Sequence, residues 1–143
     1  MHKANTKTTE LRIDVVALLW KKHYQKLLNW QAVRGVEAME QKNYELAKTL
    51  KQELSGVVNL VDFRVFGSMA RGDEGEYSDM DVFLEVESIS KELKEKIFNI
   101  VWEVGFKHFV FISPLIFTRD EVEKSPLRLS PVVRNIMDEG VVV

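Results

Sequence analysis

Residues 57–87 constrain the fold of this chain more than any other part of its sequence. Residues 57–66 are rich in β-branched and aromatic side chains, and apolar residues alternate there with polar ones in the period of two that is typical of a strand. Gly67 ends this strand, and residues 68–72 fit a short polar turn or a single helical turn. Residues 81–87 repeat the alternation and predict a second strand. The segment therefore predicts two neighbouring strands joined by a turn and a loop.

The region before this segment has a helical pattern. From about residue 10 to residue 54, apolar side chains recur at helical spacing, and Ser55-Gly56 ends the pattern. Gly35 and Asn43 are both candidates for a break, so we expect two helices and leave the position of the break open. The clearest apolar stripe of the second helix is Leu46, Ala47, Leu50 and Leu54.

The region after residue 87 alternates between helix and strand. A helix is expected from Ser88 or Ser90, either of which can cap it, to about Val104, with Gly105 as its C-terminal cap. Residues 109–117 are almost all apolar, which predicts a third strand that is central in the sheet and covered on both faces.

The end of the chain carries three local signals. Residues 118–121 match a capping box and should open a short helix. Ser130-Pro131 is a helix start, and Gly140 ends that helix. Residues 141–143 are predicted to add an edge strand.

Short strands that alternate with helices indicate an α/β or α+β fold, with one small mixed sheet covered by helices. We expect a single domain over residues 1–143, made of an N-terminal helical region, 1–56, and a sheet-containing core, 57–143. The 143 residues, of which 45% are hydrophobic and 29% charged, are enough to build one core.

Composition and charge exclude several classes of function. The sequence has no cysteine, so disulfides, thiolate metal sites and cysteine nucleophiles are excluded. No apolar stretch approaches the roughly 20 residues of a membrane span, and the polar N-terminus lacks the apolar run of a secretory signal, so we expect a cytoplasmic protein without membrane contact. Residues 71–87 hold one basic side chain against seven acidic ones. Such a segment disfavours nucleic-acid binding and favours a metal ion between the acids and a phosphate.

Two pairs of residues in this segment have the chemistry of a nucleotide site. Gly67-Ser68 follows a strand and precedes a helical turn, where a phosphate can approach the glycine backbone and bind N–H groups and the serine hydroxyl. Asp79 and Asp81 are two residues apart at the head of a strand, so their side chains are expected on one face. Two carboxylates so placed repel each other, and a divalent cation bound to both relieves the repulsion.

The chain resembles the nucleotidyltransferase superfamily, and in particular its minimal nucleotidyltransferase group, in the run Gly67-Ser68-Met69-Ala70-Arg71-Gly72 and the following Ser78-Asp79-Met80-Asp81. The resemblance implies a nucleotidyltransferase fold and transfer of a nucleoside monophosphate, in the first place AMP from ATP, to an acceptor hydroxyl with release of pyrophosphate. It implies that Gly67, Ser68 and Arg71 bind the nucleotide. It also implies that Asp79 and Asp81 are catalytic and hold Mg²⁺ or Mn²⁺.

Arg71 has a second interpretation, because it can equally well pair with an acid nearby, namely Asp73, Glu74 or Asp79. Ser78 is expected to shape the loop rather than to take part in chemistry.

The chain departs from the family pattern at one position. Active members usually carry a third carboxylate on the next core strand, whereas residues 109–117 contain no acid and Ser113 falls at the expected position. Two functions therefore stay open. The first is a metal-dependent nucleotidyltransferase; the second is a catalytically impaired protein of the same fold that acts as binding partner or antitoxin of a helical protein of the HEPN type.

The resemblance also implies candidate partners. A HEPN-type protein, as in the toxin–antitoxin modules of the minimal group, is a candidate acceptor. The N-terminal helical region is a candidate for binding the acceptor or for a homodimer contact, or it covers the sheet. Trp102 is expected in the core or at an interface.

Overall fold

The computed structural model describes residues 38–143 of the chain, and the first of the two expected helices lies outside them. The described elements, in chain order, are α1 (Gln41–Ser55), β1 (Leu60–Phe66), α2 (Gly67–Arg71), β2 (Met80–Val86), α3 (Lys91–His108), β3 (Ile112–Thr118), α4 (Arg119–Lys124), a 3₁₀ turn (Pro126–Leu129), α5 (Pro131–Glu139) and β4 (Val141–Val142).

The four strands form one mixed sheet in the order β3-β2-β1-β4. β1 is antiparallel to both of its neighbours, whereas β2 and β3 are parallel, as expected for strands joined by the crossover helix α3. The predicted small mixed sheet with helices is therefore confirmed.

The expectation that residues 109–117 form a central, covered strand is wrong. β3 begins only at Ile112, and within residues 38–143 it has a neighbour on one side alone. The central covered strand is β2, in which every residue except Asp81 is buried. Pro114 fits the edge position because proline donates no hydrogen bond to a neighbouring strand. The apolar composition of residues 109–117 suggested a buried strand, but the aromatic residues 109 and 111 lie on the surface before the strand begins.

The core lies between the sheet and the helices α1 and α3. The predicted stripe of α1 is buried, and it packs with the apolar residues of β1 and β2 and with Ile97 of α3. Asn43 does not break the helix, because it lies inside α1 with its side chain buried and hydrogen-bonded. The helix ends at Ser55, as predicted.

The N-terminal cap of helix α3 is as predicted, whereas its C-terminal end lies beyond the predicted one. The Ser90 hydroxyl accepts a hydrogen bond of 3.1 Å from the Leu93 N–H. The helix then runs past Gly105 to His108, so Gly105 is not the cap; Phe109 is, with a left-handed backbone at φ 55°. Gly105 is required instead for close packing, because a Cβ there would lie 2.6 Å from the carbonyl oxygen of Val110.

The C-terminal signals are confirmed. Thr118 and Glu121 form the complete capping box of α4, and the Ser130 hydroxyl caps α5 by accepting from the Val133 N–H at 3.2 Å. Gly140 ends α5, and β4 follows as an edge strand. Within the part of the chain that the structure describes, no helix is both long and apolar enough to cross a membrane.

Candidate functional site

The predicted phosphate-binding turn lies at the junction of β1 and α2. Gly67 is the first residue of α2 and has φ +74°, a left-handed conformation that disfavours any side chain. A Cβ at this position would lie 2.5 Å from Oδ2 of Asp81. Glycine is therefore required for two reasons, and the structure brings Gly67 and Asp81 into direct contact.

Strand pairing explains this contact. β1 and β2 are antiparallel, and their register places Phe66, the last residue of β1, opposite Asp81. Gly67 follows directly, so the turn begins beside the aspartate. Ser68 is the next residue and is half-buried in the first turn of α2, where backbone N–H groups have no acceptor within the helix.

The two aspartates differ in their surroundings. Asp79 is exposed and directly precedes β2, whereas Asp81 is the second residue of the strand and is partly buried. Burial raises the pKa of the Asp81 carboxyl, the negative charge of Asp79 raises it further, and the Arg71 guanidinium opposes both effects. The pair is therefore close enough for its charges to repel each other, which is the situation that a divalent cation relieves.

The donor set at this place fits Mg²⁺ or Mn²⁺. Asp79 and Asp81 offer carboxylate oxygens, the ligands that these hard cations prefer, and the space over Gly67 that a Cβ would fill holds the Asp81 oxygen. Within residues 38–143, no three histidine or acidic side chains converge as a metal cluster, so the aspartate pair offers two protein ligands.

Arg71 is the last residue of α2, and its Nε lies 3.3 Å from Oδ2 of Asp73. The ion pair with Asp73 is therefore formed, and both side chains are half-exposed. Arg71 also acts electrostatically on Asp81, so its positive charge lies near the predicted metal ligands. Its two interpretations are compatible, because an exposed ion pair contributes little and opens readily.

The loop between α2 and β2 is held by contacts that sequence patterns did not reveal. Nδ2 of Asn43 donates a hydrogen bond of 2.9 Å to Oε1 of Glu74, which ties the loop to α1. Oε2 of Glu74 is buried and, within the described region, has no partner. Asn43 and Glu74 are 31 positions apart in the sequence, so no local pattern signals this contact. Ser78 shapes the loop, as expected, because its hydroxyl accepts from the Gly75 N–H at 2.8 Å.

A cavity of about 750 Å³ opens beside Asp79. The loop forms one wall, the start of α1 a second, and the segment between α3 and β3 a third. The aromatic residues in its lining are Tyr77, Phe109 and Phe111. A cavity of this size is in the range of small-molecule sites, and it adjoins the exposed member of the aspartate pair.

Ser113 is the residue expected from the sequence at the position of a third carboxylate. The parallel register of β2 and β3 places it directly opposite Asp81. Glu85 lies four residues further along β2, where it is buried opposite Asp62. Burial raises the pKa of the Glu85 carboxyl, and the charges of Asp62 and Glu123 add to the effect.

The mixed sheet, the Gly67 turn and the aspartates at the head of β2 define a class of protein. The chain belongs to the nucleotidyltransferase domain family, whose model matches residues 44–143. This match confirms the resemblance to the minimal nucleotidyltransferases.

Two similar proteins can be named. The first is "Putative protein adenylyltransferase MJ0141" of Methanocaldococcus jannaschii, which is 32% identical to this chain in an alignment that covers 62% of the chain and 91% of that protein. The second is a solved structure from Sulfolobus solfataricus, described as a "putative nucleotidyltransferase", with 19% identity and a TM-score of 0.43; the match covers 78% of this chain and 84% of that one.

Proposed function

We propose that this protein transfers AMP from ATP to a hydroxyl group of a protein acceptor, in a reaction that requires Mg²⁺ or Mn²⁺. Transfer of a nucleoside monophosphate is the chemistry of the family to which the chain belongs. The name of the relative from Methanocaldococcus jannaschii supports adenylyl as the group transferred and protein as the acceptor.

One observation carries the proposal: the contact between the Gly67 turn and the Asp81 carboxylate. A triphosphate that binds the backbone of the turn has its charged oxygens beside an aspartate, which is repulsive unless a cation lies between them. The proposal therefore assigns phosphate binding and cation binding to one place.

Each residue has a definite task in this scheme. Asp79 and Asp81 would hold the metal ion, which when bound neutralises charge on the phosphates and on the acidic loop. Gly67 and Ser68 bind the β- and γ-phosphates through backbone N–H groups and the serine hydroxyl. Arg71 supplies positive charge beside the leaving group once its exposed pair with Asp73 opens.

The transfer itself forms one bond and breaks one. The acceptor oxygen bonds to the α-phosphorus, the bond from that phosphorus to the bridging oxygen of the β-phosphate breaks, and pyrophosphate leaves with the electron pair. The hydroxyl proton passes to water, because Ser113 stands where a carboxylate base would be.

The experiment is transfer of label from α-labelled ATP, with Mg²⁺ or Mn²⁺, into proteins of a lysate of the native host. We expect a labelled band with the wild type and none with the double variant Asp79→Asn, Asp81→Asn. Asp138→Asn is the matched control, because it removes an exposed aspartate from α5 and should leave labelling unchanged. Absence of label with all four nucleotides and both metals would refute the proposal.

A second candidate function rests on Ser113. With no acid opposite Asp81, the protein can retain the fold and bind a partner without transferring a nucleotide, for example as antitoxin of a HEPN-type protein. Co-expression with the candidate partner separates the two functions. Neutralisation that survives Asp79→Asn, Asp81→Asn favours binding alone, and neutralisation that is lost favours transfer.

A further inference from the structure

Helix α3 carries an exposed ridge of aromatic side chains. Phe98, Trp102 and Phe106 follow one another at four-residue spacing and therefore lie along one face of the helix. The rings of Trp102 and Phe106 stack with their centroids 6.2 Å apart. Phe109 and Phe111 extend the ridge beyond the helix, and we refer to these five residues as the aromatic face.

The exposed area of the aromatic face is large for a single small protein. The exposed fractions are 43% for Phe98, 64% for Trp102, 70% for Phe106, 96% for Phe109 and 62% for Phe111. With about 200 Å² for an aromatic side chain, these fractions leave about 670 Å² of aromatic surface uncovered by the residues that the structure describes. Monomeric proteins rarely expose more than about 300–600 Å² in one apolar patch.

The same area is close to what one partner contributes to a stable interface. A standard interface buries about 800 Å² on each side, and two copies of the aromatic face would bury about 1,300 Å² together, within the standard class. The face also lines a groove of about 470 Å³ between α3 and residues 109–114, which can receive side chains of a partner. Trp and Phe are residue types enriched in such interfaces.

The shape of the face favours a second copy of this chain. Ridges formed by residues four apart interdigitate with identical ridges at a crossing angle of about −50°, so the ridge of α3 is complementary to itself. A two-fold axis is the commonest symmetry of protein dimers and requires such self-complementarity. Addition of a strand to β3 is disfavoured, because Pro114 lies inside that edge.

We propose that the aromatic face is the interface of a two-fold symmetric homodimer, in which α3 of one copy crosses α3 of the other near Trp102. Phe109 and Phe111 belong both to this face and to the wall of the cavity beside Asp79. Dimer formation therefore holds one wall of that cavity in place, and a monomeric variant should bind the nucleotide less tightly.

Sedimentation velocity of the full chain over a range of protein concentrations tests the proposal. We expect the wild type to sediment as a dimer, and we expect Trp102→Glu, Phe106→Glu to raise the dimer dissociation constant at least thirtyfold, the loss of about 2 kcal/mol that defines one hot-spot residue. The control is Leu129→Glu, Val132→Glu, which places the same charges on exposed apolar positions elsewhere and should leave the dimer intact. A monomeric wild type, or equal effects of the two double variants, would overturn the proposal.

Cross-linking keeps the test independent of charged substitutions. The chain has no cysteine, so a single introduced thiol is the sole reactive site. Asn99 lies on α3 beside the ridge. The variant Asn99→Cys, treated with a short bismaleimide, should give a cross-linked dimer. Asn135→Cys, at another exposed asparagine, on α5, should not. Absence of cross-linking at residue 99, or equal cross-linking at both positions, would contradict a dimer formed through α3. Neither measurement depends on nucleotide transfer.

Discussion

Gly67→Ala should impair nucleotide transfer far more than it lowers stability. A side chain at φ +74° costs about 1–2 kcal/mol, because left-handed backbone crowds Cβ against the neighbouring carbonyl. The new methyl group would also lie 2.5 Å from Oδ2 of Asp81, whereas ordinary contact begins at 3.4 Å. The aspartate oxygen must therefore retreat by about 0.9 Å, and a displacement of about 1 Å at a reacting centre can cost about 100-fold in rate.

The assay pairs two measurements on the same variant. Urea unfolding should show a loss of about 1–2 kcal/mol, and transfer from α-labelled ATP should fall about 100-fold. Gly72→Ala is the matched control, because Gly72 has φ +75° but its Cβ would meet the backbone carbonyl oxygen of Ala38 at 2.0 Å. That variant should lose more stability than Gly67→Ala. If Gly67→Ala kept its transfer rate, the contact with Asp81 would not position a reacting group, and the reasoning would be refuted.

Three further substitutions test other parts of the structure. Ser113→Asp places a carboxylate opposite Asp81 and should raise the transfer rate about 100-fold or more, the usual contribution of a general base. Asn43→Ala removes the only hydrogen bond that the described residues give Glu74 and should cost about 1–3 kcal/mol in urea unfolding. Glu85→Gln should flatten the pH dependence of stability. Because the pKa of the buried Glu85 carboxyl is raised above its ordinary value of 4.5, the wild type loses stability as pH rises through the raised pKa, and the neutral glutamine does not.

Each of these has a control and a contrary outcome. Ser113→Asn has the shape of aspartate without its charge, and an equal gain with both variants would rule out a base. Gln41→Ala removes an exposed hydrogen bond and should lower the free energy of unfolding by less than about 0.5 kcal/mol. If Gln41→Ala and Asn43→Ala lowered it equally, the contact between Asn43 and the loop would not stabilise the protein. Glu95→Gln, at an exposed glutamate of α3, is the matched control for Glu85→Gln. Parallel profiles for wild type and Glu85→Gln would contradict the burial argument.

Local patterns were sufficient wherever the physical cause is itself local. The capping box at Thr118, the cap at Ser130 and the end of β1 at Gly67 all depend on residues within a few positions of each other. From the sequence, the convergence of the Gly67 turn with the acids depends on the two strands being neighbours. The structure supplies that condition, because β1 and β2 pair with Phe66 opposite Asp81.

Sequence patterns failed where the cause lies in tertiary packing. Asn43 was a candidate for a helix break, but its amide is buried against Glu74, and the hydrogen bond compensates for its poor helix propensity. Gly105 looked like a cap, but the approach of the Val110 carbonyl requires a glycine inside the helix. The apolar residues 109–117 looked central, because hydrophobicity alone does not distinguish a core strand from an exposed apolar surface.

Phe109 lies both in the segment whose structure the sequence predicted wrongly and in the proposed dimer interface. It has a left-handed backbone at φ 55°, where glycine would be less costly, and its side chain is almost fully exposed. The end of α3 explains its backbone, because the Phe109 N–H caps the helix on the carbonyl oxygens of Gly105 and Phe106. Packing within the described residues does not explain its exposed ring. Phe109 lies in residues 109–111, which line both the cavity beside Asp79 and the groove along α3. The exposed ring at this segment is explained by a partner that covers it, and a contact there would transmit dimer formation to the nucleotide site.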